Sequence, residues 1–469
     1  MKKDDPLNPK NYRPIALLPI FSKILEKIVF TQLVKYLDHN ELLHPNHHGS
    51  RRNHNTATAL IAMYDTWVEE VEDGKMAAVM MLDLSAAYDM VDHSILINKL
   101  ELLGLDIKAI SWIKSYLKDR TQSVFVDACL SPPLNIECGV PQGSILGPLM
   151  YLCFTNDLPE IVHDHDSSYK QPNMYCTQCG STVCYVDDST YTYAHSDPET
   201  LSNKISSKYS QFSEYMSSNR LVINPEKTHL VVMGSKKMDQ KRQQVTLQAG
   251  EHTIKPSESE KLLGAQIHQS LKWKCHIQDS DQSLLRMMTS RVNALRKISA
   301  NATFQTKLRV ANGIVLSKLA YLIPLWGGCE DYLIKALQVI QNKAARAVTG
   351  LNCFTSTKEL LKTCNWLSVR QMVFYFTVLT THKTIMNGAP KYLKDRLCSN
   401  FPYQTRQKTQ GELRFGQTFA GKHSLTHDSF CYRSVNDYNS IPAAIRLEQK
   451  LPSFKFRLKK WIKDTIPIN

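Results

Sequence analysis

Apolar residues recur at Ile20, Ile24 and Ile28 and, beside them, at Phe21, Leu25, Val29, Leu33 and Leu37. That spacing predicts an amphipathic helix over residues 20–37, starting just after Pro19. A polar, histidine-rich connector follows at 44–52, and a second helix is expected over 56–71. The pattern changes at 76–84, where nearly every position is apolar, and so short a run predicts a buried strand that ends in Asp83. Helices are expected over 94–103, stopped by Gly104, and over 107–117, followed by a strand over 121–128. The turn-rich stretch 139–144 leads into an apolar helix that Ser144 is placed to cap and that Gly147-Pro148 should weaken. Residues 183–186 and 190–193 alternate as two short strands joined at a tight turn, with Asp187 and Asp188 at its tip. Leu201, Ile205, Tyr209, Phe212 and Met216 mark another helix before a strand over 228–233. Residues 234–260 are polar and basic and make the best boundary. Beyond them the chain reads mainly helical, over about 280–300, 304–323, 331–349 and 366–386, and then irregular and basic.

The chain has 469 residues, 43% hydrophobic and 21% charged, which suits several modules and a real core. The formal net charge of +14 narrows the partners. A surplus of this size attracts polyanions, nucleic acid first and acidic membrane surfaces second. The N-terminal residues are charged with no apolar region behind them, so no secretory signal is read there. The longest apolar run, about 145–154, is far short of the roughly 20 residues a membrane span needs. An intracellular protein without a membrane segment is expected, its 12 cysteines mostly reduced thiols.

Candidate chemistry centres on Asp187 and Asp188. Adjacent carboxylates repel, so a turn holding both is either well solvated or occupied by a cation, and hard divalent ions suit carboxylate oxygens. Asp83, at the end of a buried strand, supplies a third acid. Three such carboxylates together would hold two Mg²⁺ ions (Mn²⁺ is the alternative), the arrangement used in phosphoryl transfer.

Six segments in order strengthen that reading: Asn11-Tyr12-Arg13-Pro14, the run from Leu82 to His93, Gly139-Val140-Pro141-Gln142-Gly143-Ser144, Tyr185-Val186-Asp187-Asp188, Asn224-Pro225-Glu226-Lys227-Thr228 and Lys261-Leu262-Leu263-Gly264. Over roughly residues 8–270 the chain resembles a reverse transcriptase of the non-LTR (LINE-type, jockey-like) retrotransposon class. The resemblance implies an α+β right-hand polymerase with fingers, a palm carrying an antiparallel sheet and catalytic hairpin, a helical thumb, and a small mainly helical C-terminal region. It implies fingers over 1–74, palm over 75–260 with an insertion at 161–182, primer grip and thumb over 261–350, and a basic region of unknown role over 351–469. By the same resemblance Asp83, Asp187 and Asp188 are the metal-binding carboxylates. Tyr88 is the aromatic that crowds the sugar 2′ position, and Gln142 with Gly143 touches the incoming nucleotide. Arg13 and Arg51 grip the triphosphate, Lys227 protonates the leaving pyrophosphate, and Leu263-Gly264 is the primer grip. The implied partners are an RNA template, a DNA primer or RNA–DNA duplex, and dNTPs, in cytoplasm and nucleus.

Departures are visible. Tyr88 stands where most relatives carry Phe, Tyr185-Val186 where they carry Phe-Ala, and Ser50 where they carry Phe. Relatives also carry an upstream extension and an apurinic-type endonuclease domain, which this stretch does not include; it reads as a fragment of a longer frame or a 5′-eroded copy. In the insertion, His163, His165, Cys176 and Cys179 form half of a zinc-ribbon pattern, and Zn²⁺ or reduced loop cysteines are the alternatives. Basic clusters at Lys236, Lys237, Lys241, Arg242 and at Arg286, Arg291, Arg296, Lys297 suit a phosphate backbone. Residues 454–463 interleave aromatics with cations, for single-stranded RNA or for docking as an amphipathic helix. The expected activity is RNA-templated DNA synthesis in retrotransposition; the alternative is a catalytically inactive, nucleic-acid-binding transposon remnant.

Overall fold

A computed structural model describes residues 15–84, 86–126, 128–162, 180–299, 302–397, 411–413 and 424–468. Helices α1 (Ile20–His39) and α2 (Thr56–Glu72) precede strand β1 (Met76–Leu82). Helices α3 (His93–Leu102) and α4 (Ile107–Leu117) follow. The strand expected over 121–128 is instead a ribbon of two-residue rungs. Thr121–Gln122 (β2) pairs with Leu134–Asn135 (β5), and Phe125–Val126 (β3) with Cys129–Leu130 (β4). The turn between β3 and β4 includes Ala128 at φ +65°, which reverses the chain where a continuous strand would have run on.

Helix α5 (Gly147–Phe154) begins at the Gly-Pro pair rather than being weakened by it. Proline at the first helical positions removes a donor that has no intrahelical partner there. Ser144 lies before the helix and its hydroxyl accepts from the Gly147 N–H. Strands β6 (Ser181–Tyr185) and β7 (Asp188–His195) form the predicted hairpin, followed by helix α6 (Pro198–Ser218) and strand β8 (His229–Met233). The central sheet is antiparallel throughout, in the order β6-β7-β1-β8.

All seven residues of β1 are buried, as an unbroken apolar run requires. Successive side chains enter opposite cores. Ala77, Val79 and Met81 join α2 on one face, and Met76, Ala78, Met80 and Leu82 join α3–α6 on the other. The first of these cores continues through the hairpin β9 (Ser259–Leu262) and β10 (Ala265–His268) into helices α7 (Leu284–Ser299) and Asp331–Thr349. It ends among C-terminal helices that include Val369–Asn387, Phe430–Ser440 and Leu451–Thr465. Helix Leu451–Thr465 docks by Phe454, Leu458 and Ile462, all buried at four-residue spacing, with Phe454 stacked on His382 at 3.5 Å between ring centroids. This is the amphipathic-docking alternative for 454–463.

The polar stretch 234–260 is not a bare linker. Val245, Leu247 and Ala249 are buried in the second core, and Arg242 is buried with its guanidinium on the carbonyls of Gly234 and Gln269. Arg242 therefore leaves the basic surface cluster to Lys236, Lys237 and Lys241. Among the described residues, no helix is long and apolar enough to cross a membrane.

Candidate active site

The hairpin turn is one residue tighter than expected. Tyr185 pairs with Asp188, so Val186 and Asp187 form the two-residue connection and Asp188 opens β7. Val186 sits at φ +61°, a left-handed conformation that a β-branched residue seldom adopts. Across the sheet, Leu82 is level with Ser189, so Asp83, the next residue, comes level with Asp188. Asp83, Asp187 and Asp188 thus share one end of the central sheet, half-exposed or exposed.

The histidine-rich connector supports this turn instead of looping through solvent. The Cys184 N–H donates to Asn46 O at 2.9 Å and the His48 N–H donates to Cys184 O at 2.8 Å, adding a short parallel rung to the free edge of β6. Gly49 then lies against the turn, where a Cβ would come within 2.6 Å of the Val186 nitrogen and Cγ2. Only a residue without a side chain fits at that approach.

His47 and His48 are buried. Burial lowers His47 to about 4, against the opposing pull of the Thr155 carbonyl, to which its Nε2 donates at 2.8 Å. Unfolded histidine takes up a proton near 6.5, whereas folded His47 does not until about 4. The unfolded state therefore binds more protons in that window, and stability is lost as pH falls through it. The full effect is about 3 kcal/mol. Glu69, lifted to about 7 mainly by burial, has the opposite slope, so the comparison is with His47→Asn. Thermal unfolding between pH 6.5 and 4 should decline more steeply in the parent than in the variant. Parallel declines would remove His47 as the cause.

Asp83 is bonded to Lys227, whose Nζ lies 3.0 Å from Oδ2. The contact is built by the backbone: Leu84 bridges to Ile223, the Asn224 N–H donates to Asp83 O at 3.0 Å, and the Asn224 side chain caps the 3₁₀ turn Pro225–Lys227. Tyr88, half-buried, stacks on Tyr151 at 5.0 Å between centroids. Tyr151 is buried, and burial followed by the charges of Asp187 and Asp188 raises its hydroxyl well above the usual range. Gln142 donates Nε2 to both carboxylate oxygens of Asp89, at 3.0 and 2.9 Å, while its carbonyl accepts from the Ala16 N–H. Gly143 beside it is exposed at φ +104°. Arg51 donates Nη1 to the carbonyls of His44 and His47, bracing the connector.

Leu263 and Gly264, at φ +47° and +82°, form the two-residue turn of the β9–β10 hairpin. The Tyr321 hydroxyl donates to Leu263 O at 2.7 Å and tethers that turn from behind. On α7, Arg286 pairs with Asp281 and Arg291 donates to Ile314 O at 2.6 Å. Arg13 and the cluster His163, His165, Cys176 and Cys179 lie outside the described residues. Among the described ones, no three His, Cys, Asp or Glu side chains are already gathered as a metal cage. The carboxylates at the sheet end nevertheless form a hard-oxygen donor set that suits a divalent ion. Asp89 and Tyr151 carried no assignment from sequence. Asp89 sits inside the Leu82–His93 motif next to Tyr88, which was the available signal, whereas nothing in the run 145–154 singles out Tyr151.

Residues 1–267 match the family described as reverse transcriptase (RNA-dependent DNA polymerase). The chain belongs to the reverse transcriptase family. Within it the relatives are of the LINE type. The chain is 27% identical over 352 residues to the probable RNA-directed DNA polymerase from transposon X-element of Drosophila melanogaster, covering 75% of this chain and 37% of that protein. It is 26% identical over 355 residues to the RNA-directed DNA polymerase from mobile element jockey of Drosophila funebris, covering 76% and 37%. The matched region thus spans well under half the length of these relatives. Among solved structures, apo telomerase from Candida tropicalis aligns at TM-score 0.40 and 14% identity, covering 79% of this chain and 60% of that one. The fold of this family member is the α+β right hand, with the antiparallel β6-β7-β1-β8 sheet at its centre. Members of the family use divalent metal ions.

Proposed function

We propose that this chain is an RNA-directed DNA polymerase that extends a DNA 3′-OH with dNTPs on an RNA template, within retrotransposition. The observation that carries the reading is that Asp83, Asp187 and Asp188 share one sheet end, Asp83 level with Asp188 by strand register and Asp187 in the adjoining turn. These three residues would hold Mg²⁺, which when bound supplies charge to activate the primer hydroxyl and to balance the leaving pyrophosphate. Zn²⁺ at Cys176, Cys179, His163 and His165 would have no part in the chemistry.

The rest falls to the chain's own side chains. Tyr88, braced from behind by Tyr151, crowds the sugar 2′ position and excludes ribonucleotides. Gln142 and Gly143 contact the nucleotide, and Arg13 and Arg51 supply positive charge toward its triphosphate. Lys227 delivers a proton from Nζ to the leaving group, a role supported by its contact with Asp83. The Leu263-Gly264 turn seats the primer terminus, and the exposed faces of α7 around Arg286 and Lys297 track the duplex phosphates, with salt-dependent affinity.

Primer extension on an RNA template tests this, with Asp187→Asn as control. Template-dependent dNTP addition by the parent and its loss in the variant are expected. Equal, negligible incorporation by both, with RNA–DNA duplex still bound, would overturn the reading.

A further inference from the structure

The pairing of Gln142 with Asp89 determines which end of an amide is offered to a substrate. A carboxylate accepts hydrogen bonds, so the Gln142 atom facing Asp89 is its NH₂ nitrogen, at 3.0 and 2.9 Å from the two oxygens. The amide oxygen is thereby left pointing away, available as an acceptor.

Asp89 is itself held on several sides. Its N–H donates to Ala86 O at 2.9 Å, and its carbonyl accepts from the Cys138 thiol at 3.3 Å. The flanking residues join the same two segments: the Val140 N–H donates to Tyr88 O and the Gly139 N–H to Val91 O, each at 2.8 Å, and His93 Nε2 lies 2.8 Å from Gly139 O. The turn bearing Tyr88 and the loop bearing Gln142 are therefore one braced body with Asp89 at its centre. A deoxynucleotide sugar carries one hydroxyl donor, at the 3′ position. A fixed amide oxygen beside the residue that crowds the 2′ position is matched to it.

We propose that Asp89 is a positioning residue that locks the Gln142 amide with its oxygen toward the incoming nucleotide, so that the polymerase selects sugars bearing a 3′-hydroxyl. This rests on the reading of Gln142 as a nucleotide contact. Without Asp89 the amide rotates freely and presents donor and acceptor alike. Asparagine at 89 does not restore the lock, because it offers Gln142 both a donor and an acceptor.

Single-nucleotide incorporation of a dNTP and of the matching 2′,3′-dideoxy analogue reads the ratio of kcat/KM in the parent, Asp89→Asn, Asp89→Ala and Gln142→Ala. Both Asp89 variants should lower the dNTP/ddNTP ratio by about five-fold, the scale of one hydrogen bond. The loss should fall on the dNTP, with the dideoxy constants changed by less than about two-fold. A merely structural role would depress both substrates together and leave the ratio unmoved, which would overturn the proposal. If Gln142→Ala lowers the ratio while both Asp89 variants keep it, positioning by Asp89 fails alone. If Gln142→Ala also leaves it unmoved, Gln142 is not at the sugar and the underlying reading fails. The same ratio is read without turnover from ternary-complex stability on a dideoxy-terminated primer.

Discussion

Asp83→Asn should reduce dNTP incorporation by on the order of a thousand-fold, the equivalent of the several kcal/mol that charge stabilisation by a bound divalent ion contributes. The unfolding midpoint should hardly move. Asp83 follows the last buried position of β1, is half-exposed, and its side-chain partner is Lys227, itself 52% exposed. An ion pair open to solvent contributes at most about 1 kcal/mol to stability. Duplex affinity should also stay near that of the parent, because the basic face assigned to the duplex phosphates lies on helix Leu284–Ser299, around Arg286 and Lys297. A variant that keeps a tenth or more of the activity would show that Asp83 is not among the metal-binding acids. A variant that unfolds would show that its role was structural.

The largest stability effect is expected far from the site, at Asp65. This fully buried carboxylate, in the middle of α2, accepts from the backbone N–H groups of Phe430 and Cys431 at 3.2 and 3.1 Å. It therefore satisfies the first turn of helix Phe430–Ser440, whose amides have no intrahelical acceptor. Burial raises its pKa while the Arg396 guanidinium, bonded to Glu69 and Thr66, pulls the other way. Asp65→Ala leaves two buried N–H groups without acceptors and should lower stability by about 3 kcal/mol. Hydrogen exchange should show Phe430–Ser440 losing protection first. Unchanged protection there would mean that the helix is held by its apolar contacts alone.

Much of the palm was readable because apolar periodicity decides it. The unbroken run of β1 reads as a strand covered on both faces, whereas 454–463 stood between RNA binding and docking until the burial of Phe454, Leu458 and Ile462 decided it. The acids, Gln142 and Lys227 were legible as motifs, yet their contacts were not. No spacing rule places Lys227 on Asp83 or Asp89 on Gln142, since both depend on turns whose geometry is set by distant backbone. The packing of the histidine-rich connector was hidden for a related reason. Its backbone finds partners on the β6 edge and His47 finds the Thr155 carbonyl, while His48 Nε2 is buried without a hydrogen-bond partner. The ribbon at 121–135 was missed because a left-handed Ala128 gives no compositional signal.

The bond between Asp65 and the Phe430 amide spans 365 positions of sequence, which sets a schedule for synthesis. At the usual 5–20 residues per second, α2 leaves the ribosome roughly twenty to seventy seconds before the helix that covers it. During that interval Ala59, Ile61, Trp67 and Val68 lack the last layer of their core, although the palm sheet they pack on already exists. A nascent chain halted before residue 430 would carry Asp83, Asp187 and Asp188 on an unfinished foundation. Seating of these acids is thus tied to synthesis past residue 430, and the waiting intermediate exposes the apolar surface that chaperones bind.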